Sequence, residues 1–214
     1  MEVLAQGSHN VRGVGISSGR RKLTGVRSDY RFYRKFVPLK NHKRVMLRFL
    51  TGEDRQDLIF LFRHASDEDL RFCRHDLREA HLLSRWLDHI NSPRLLPLAA
   101  VDLDNNQLIA AGTVLRGKHA ASHIGEIKLF IAQPFRNLAL GSTLLDELML
   151  LAARENLHCL KAEVVADQKQ MIRALRHKGF QIRANLEDFF MSKDGTTYDL
   201  VLMMRALNQE AGEL

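Results

Sequence analysis

Cysteine is scarce in this chain: only Cys73 and Cys159 occur among 214 residues. Two cysteines so far apart in the middle of helix-like and strand-like segments read as inert core thiols of a reducing compartment rather than a disulfide, a metal site or a nucleophile. No apolar run approaches the roughly 20 residues a membrane-spanning helix needs. The opening stretch, "MEVLAQGSHNVRGVG", lacks the apolar core of a secretory signal. A cytoplasmic protein with no membrane partner is expected. Walker loops, His-Glu helix motifs and Cys-x-x-Cys pairs are also missing. His119 and His123 stand four apart, but in "GKHAASHIG", a hairpin-like stretch, that spacing makes no metal pair, and no metal is expected.

Acidic residues are missing from one region only. Residues 1–48 carry 12 Lys/Arg against Glu2 and Asp29, while the other 166 residues carry a net −3, although the whole chain is +7. The basicity therefore belongs to the N-terminal segment, and residues 1–43 read as a basic, flexible arm rich in Gly and Ser. Three duties remain open for it: solvation alone, contact with an acidic partner such as RNA or a membrane surface, or targeting as a transit peptide. The aromatics, zinc knuckles and helix-turn-helix signals of a nucleic-acid module are missing, so nucleic acid is not the expected partner.

What is present is an ordered alternation. "RVMLRFL" (44–50) has strand character, and Thr51 with Asp54 forms a capping pattern ahead of Leu58, Leu61 and Phe62 at helical spacing. Ser66 caps a second helix whose apolar face runs from Leu70 through Leu87. "RLLPLAAVDL", "QLIAAGTVLRG" and "SHIGEIKLFIA" form a three-strand meander, followed by a helix through Arg154 and the strand "HCLKAEVVA". A helix capped by Asp167 and Gln170, with Met171, Ala174 and Leu175 as its buried stripe and Gly179 at its end, precedes two final strands. Residues 44–207 thus form one mixed α/β domain, an α+β arrangement, with 208–214 as a tail.

Between the third meander strand and its helix stands "QPFRNLALG". The first N–H groups of a helix lack internal partners and carry partial positive charge, so they suit a phosphate where side chains leave room. Asn137, Ala139, Gly141 and Ser142 are small or tolerant of left-handed backbone, and Arg136 could add a charge-assisted contact. A plain structural turn remains the alternative. Ser142 and Thr143 read as helix caps rather than nucleophiles.

"RNLALG" with its flanking strand and helix, and the later "VVADQKQMIRALRHKGF", resembles the acyl-CoA pyrophosphate loop and second half of the GNAT superfamily of N-acetyltransferases. "GEIKLFIA" and "SDEDLRF" are similar to the GNAT domain of bacterial protein-lysine acetyltransferases. The resemblance implies a single GNAT-type domain, a central mixed, mostly antiparallel sheet flanked by about four helices. It implies acetyl-CoA as cosubstrate and an amine acceptor, a small molecule or a protein lysine. Leu129, Phe130 and Ile131 would hold the pantetheine arm and thioester; Arg136, Asn137, Leu138, Ala139, Leu140, Gly141 and Ser142 the pyrophosphate; Gln168 and Met171 the second wall.

Glu126, on the same strand face as Lys128 and Phe130, is expected to be the general base, its pKa raised by apolar neighbours, with Glu163 as second choice. A rim glutamate paired with Lys128 or Lys161 is the alternative. Three departures from the family pattern stand out: Ala139 replaces a glycine, Gln168 an asparagine, and Leu175 a tyrosine that can protonate the leaving thiolate. Besides the enzyme, two functions stay open: an acyl-CoA sensor with weak or no catalysis, and a scaffold whose basic arm binds nucleic acid or another acidic partner. The acceptor would be chosen by "SDEDLRFCRH" and "NLEDFFMSKDGTTY". An edge strand from the C-terminal residues would suit a homodimer.

Overall fold

The longest apolar runs in the sequence become the middle of a sheet. In the computed structural model, which describes Tyr30, residues 32–70, 77–79, His81, Asp88, 90–192 and 194–207, every residue of β3 (Leu95–Asp102) is buried. A strand covered on both faces has no polar side to alternate with, which explains its uninterrupted hydrophobicity. Its antiparallel neighbours are β2 (Arg44–Phe49) and β4 (Gln107–Arg116), followed on that side by β5 (Ile124–Ile131). β1 (Arg34–Pro38) pairs with β2 at the sheet edge. Beyond β5 come β6 (Cys159–Val165), β8 (Thr197–Ala206) and β7 (Gln181–Met191), making an eight-stranded sheet in the order β1-β2-β3-β4-β5-β6-β8-β7.

Helices cover both faces. On one side α1 (Arg55–Arg63) and α2 (Asp67–Leu70) pack Leu58, Leu61, Phe62 and Leu70 against Leu50, Leu95, Ala99 and Leu108. On the other, α3 (Leu140–Arg154) and α4 (Lys169–His177) cover the larger core. There Leu140, Leu144 and Leu148, all fully buried, meet Leu47, Leu98 and Val114. Burying one such leucine is worth roughly 1.5–3 kcal/mol. The expected mixed, mostly antiparallel α/β sheet domain is the fold observed.

Several local expectations need correction. β1 lies in the stretch read as arm: only Val37 of its five residues is buried, so no alternation announces it. α4 has no side-chain cap, because the helix starts at Lys169 with Gln168 as N-cap and neither Asp167 nor Gln170 reaches a free N–H. Its inner stripe is Met171, Ile172 and Leu175; Ala174 is exposed. The C-terminal strand β8 sits inside the sheet, and β7 forms the edge. The capping pair at Thr51 and Asp54 forms, and Gly179, at φ +80°, ends α4. Residues before Tyr30, most of the helix expected through Leu87 with Cys73, and the tail from 208 lie outside the described residues.

Candidate active site

Among the described residues only one pair of neighbouring strands, β5 and β6, runs parallel, and it is short. β5 and β6 share register at Ile124, Gly125 and Glu126 opposite Cys159, Leu160 and Lys161. After that β5 stays with β4 through Ile131, and β6 stays with β8 through Val165. The sheet is therefore split into a wedge beyond Glu126. Hydrogen bonding in an antiparallel pair alternates, and Ala132 N–H donates to Ile109 at 2.9 Å. That phase turns the backbone groups of Phe130 and Lys128 toward β4, and those of Leu129 and Ile131 into the wedge. Of the three residues expected to present backbone there, Leu129 and Ile131 do; Phe130 instead packs its ring on Phe62, with centroids 4.9 Å apart.

The open end of the wedge meets the loop before α3. Gln133–Phe135 form a single 3-10 turn, Arg136 is extended, and Asn137 and Ala139 both take left-handed backbone, at φ +61° and +69°. Ala139 is the N-cap of α3 and supplies no acceptor; no side chain caps this helix. Thr143, expected as a cap, instead donates its hydroxyl to Ala139 O at 3.1 Å. The first N–H groups of a 15-residue helix are thus left without a side-chain partner, at the positive end of its dipole. Gly141 serves packing: a Cβ there would come within 2.7 Å of Ile131 Cδ1. Leu140 is fully buried beneath the loop, Ser142 is exposed, and Leu138 accepts a 3.4 Å hydrogen bond from Lys40 N–H.

Comparison with known proteins agrees with this geometry. The family model described as acetyltransferase (GNAT) domain matches residues 47–202. The chain belongs to the GNAT acetyltransferase family. The GNAT domain of S. lividans PAT superposes with a TM-score of 0.68 at 19% identity, covering 81% of this chain and 97% of that one. Ribosomal-protein-alanine N-acetyltransferase from Brucella melitensis gives 0.67 at 24%, covering 75% and 99%. The yncA protein from Salmonella typhimurium, solved with its cofactor acetyl-CoA, gives 0.67 at 18%, covering 79% and 98%. These likenesses show the shared fold. No curated protein sequence matches the chain.

In this GNAT domain the two candidate carboxylates gather at the apex of the wedge, on the α1 face. Glu126 lies 3.0 Å from both Lys128 and Lys161, and Lys161 reaches Glu163 at 2.9 Å. Burial pushes the Glu126 carboxyl up, but hydrogen bonds and charge from the two lysines outweigh it, and its pKa falls below the ordinary glutamate value. The raised pKa expected from apolar neighbours is therefore corrected, because Ile127 and Leu129 point to the opposite face of the strand, into the α3 core. Lys161 moves up: burial lowers it, and Glu163 and Glu126 more than compensate.

On the far wall, Gln168 begins α4 with no side-chain hydrogen bond to the helix, and Met171 packs half-buried on the main core. Leu175 is 2% exposed, a core residue with no proton to give. Tyr30 and Tyr33 do not replace the missing hydroxyl, for they bond Glu155 at 2.7 Å and Glu147. Cys159 is half-buried, and burial raises its thiol, so it is no nucleophile. Among the described residues no group of three or more His, Cys, Asp or Glu could hold a metal, and no helix is long and apolar enough to cross a membrane. A cavity of about 520 Å³ between α3 and β8, lined by Met149, Leu150, Arg183 and Arg205, shares no residue with the wedge.

Arg136 is not free to meet an anion. Its Nη2 lies 2.6 Å from Asp69 Oδ1, and its Nε donates to Ile131 O at 3.0 Å. Sequence reasoning missed Asp69, whose only signal is its place three residues after Ser66. It also missed Glu147, 3% exposed in the middle of α3 and bound to Tyr33 and Lys35. Nothing in "LLDELMLL" marks that carboxylate as buried.

Proposed function

We propose that the chain is an acetyl-CoA-dependent N-acetyltransferase that passes the acetyl group directly to a primary amine, a small molecule or a protein lysine. One observation carries the reading: a strand edge that no neighbouring strand pairs, because β5 splits from β6, ends at a helix N-terminus that no side chain of the described residues caps. Those two features fit the two halves of acyl-CoA, an amide-bearing arm and a pyrophosphate. Leu129 and Ile131 would pair the arm, and Asn137 to Ser142 would face the phosphates. Gln168 and Met171 line the other side, and the acceptor approaches from the α1 face.

Glu126 is the base we assign, with Glu163 next in line. Held as a carboxylate by Lys128 and Lys161, it is ionised at neutral pH and takes the proton of an incoming ammonium. The freed amine attacks the thioester carbonyl, the C–S bond breaks, and the proton that the new amide nitrogen sheds passes through water to the leaving thiolate, because Leu175 offers none. The first step of that scheme faces a cost: a carboxylate below its ordinary pKa is a weak base. The clamp on Glu126 also favours a second reading, a sensor that binds acetyl-CoA without turnover.

Release of free CoA from acetyl-CoA over a panel of primary amines, including spermidine and lysine peptides, separates the two. The enzyme reading expects release with at least one amine and a loss on the order of 100-fold in Glu126→Gln. Binding of acetyl-CoA with no release across the panel leaves the sensor standing. Turnover that survives Glu126→Gln removes the base assignment and moves attention to Glu163.

A further inference from the structure

We propose that Asp69 is a positioning residue for acyl-CoA: paired with Arg136, it holds the loop 136–139 in the shape that presents the N-terminus of α3. The inference rests on the acetyl-CoA reading above. Asp69 belongs to α2, on the acceptor side of the sheet, and its side chain is only 7% exposed. Both carboxylate oxygens are used, Oδ1 by Arg136 and Oδ2 by the Ser66 N–H at 3.1 Å, while its own N–H donates to Ser66 Oγ at 3.1 Å. Arg136 spans from this anchor to Ile131 O, the last carbonyl of β5 on the wedge edge. The pair thus ties three pieces together: the acceptor-side helix, the end of the wedge strand and the start of the phosphate-facing loop.

Energetics decide what the pair is for. The loop contains two non-glycine residues in left-handed backbone, Asn137 and Ala139. That conformation is unfavourable for an alanine and persists only where the surroundings over-determine it. If Arg136 swung away to grip a phosphate, it would leave Asp69 Oδ1 without its charged partner and Ile131 O without its donor. Arg136 therefore stays on Asp69, and the phosphate is met by backbone N–H groups that the pair keeps in place.

The test is titration of acetyl-CoA into the full chain and into Asp69→Asn, Arg136→Gln and the double variant. Asn keeps an oxygen for the Ser66 N–H, so α2 retains its cap. Each single substitution is expected to weaken binding about tenfold, the loss of one charge-assisted hydrogen-bonded contact, and the double to be no worse than either single. Unchanged or tighter binding by Asp69→Asn would overturn the proposal, the second because it means a freed Arg136 serves the phosphate better. Amide exchange in the unliganded chain gives an independent readout: residues 137–142 should exchange faster in Asp69→Asn while 144–152 stay protected. Equal exchange in the loop also overturns it. If the parent chain binds no acetyl-CoA, the acetyltransferase reading falls, and the exchange comparison still decides whether the pair shapes the loop.

Discussion

Charge pairs at single residues govern both the site and the stability of this domain. Glu126 is held down by Lys128 and Lys161, so Lys161→Met should move its titration upward, read by carbon NMR of the carboxyl; no movement would mean that Lys128 alone sets it. Asp54, Asp69 and Asp102 are likewise held below the ordinary aspartate value. In each, burial acts upward and the partners Arg48, Arg136 and Lys43 more than offset it. A carboxyl with a depressed folded pKa stabilises above its unfolded value and loses that contribution as pH falls through the folded one. Urea stability should therefore be level near neutrality and decline once pH drops below about 4. Loss of stability beginning near pH 6 would point to histidines instead. Glu147 allows a sharper comparison. Glu147→Gln leaves Lys35 at the surface, whereas Lys35→Met leaves a buried carboxylate with one partner fewer. The second should cost more, about 3 kcal/mol against about 1–2. The partners of Glu126 stood in the sequence as the alternative to its role as base, whereas the Lys35–Glu147 pair was illegible, its members lying 112 positions apart.

Elements with strong local codes were legible. The Thr51–Asp54 cap, the meander of β3 to β5, and α3 all followed from period and punctuation. β1 was not, because an edge strand with one buried side chain has no period to show. The loop at 136–141 was legible as an anion-binding candidate through its place between strand and helix, but not the engagement of its arginine, which depends on a helix 67 positions earlier. Its most telling residue is Ala139. In left-handed backbone, Ala139→Gly relieves about 1–2 kcal/mol of strain and returns roughly 0.5–1 in unfolded-chain entropy, so a small net gain in stability is expected by urea titration. A loss would mean that the methyl group packs against something. Leu148→Ala, by contrast, empties a fully buried position in α3 and should cost about 2–5 kcal/mol.

At the scale of the whole molecule, the basic N-terminal segment is partly built into the domain. Lys35, Lys43 and Arg48 pair with Glu147, Asp102 and Asp54, so the excess positive charge lies mainly upstream of these residues. A truncation ending before Tyr30 keeps every one of these contacts; one that removes 1–40 takes away β1 and strips Glu147 of both partners. The first should unfold at the parent's midpoint and the second well below it. Equal midpoints for both would mean that β1 contributes nothing to the fold.

On the proposed reading, the split sheet and the uncapped helix together hold acetyl-CoA. Isothermal titration of acetyl-CoA into the full chain, beside Ala139→Asp, decides whether it is held there. Saturable binding is expected for the parent and its loss in the variant, where a carboxylate at the N-cap would take the N–H groups and repel the phosphates. An absence of binding by the parent, or binding that Ala139→Asp leaves intact, would contradict that reading.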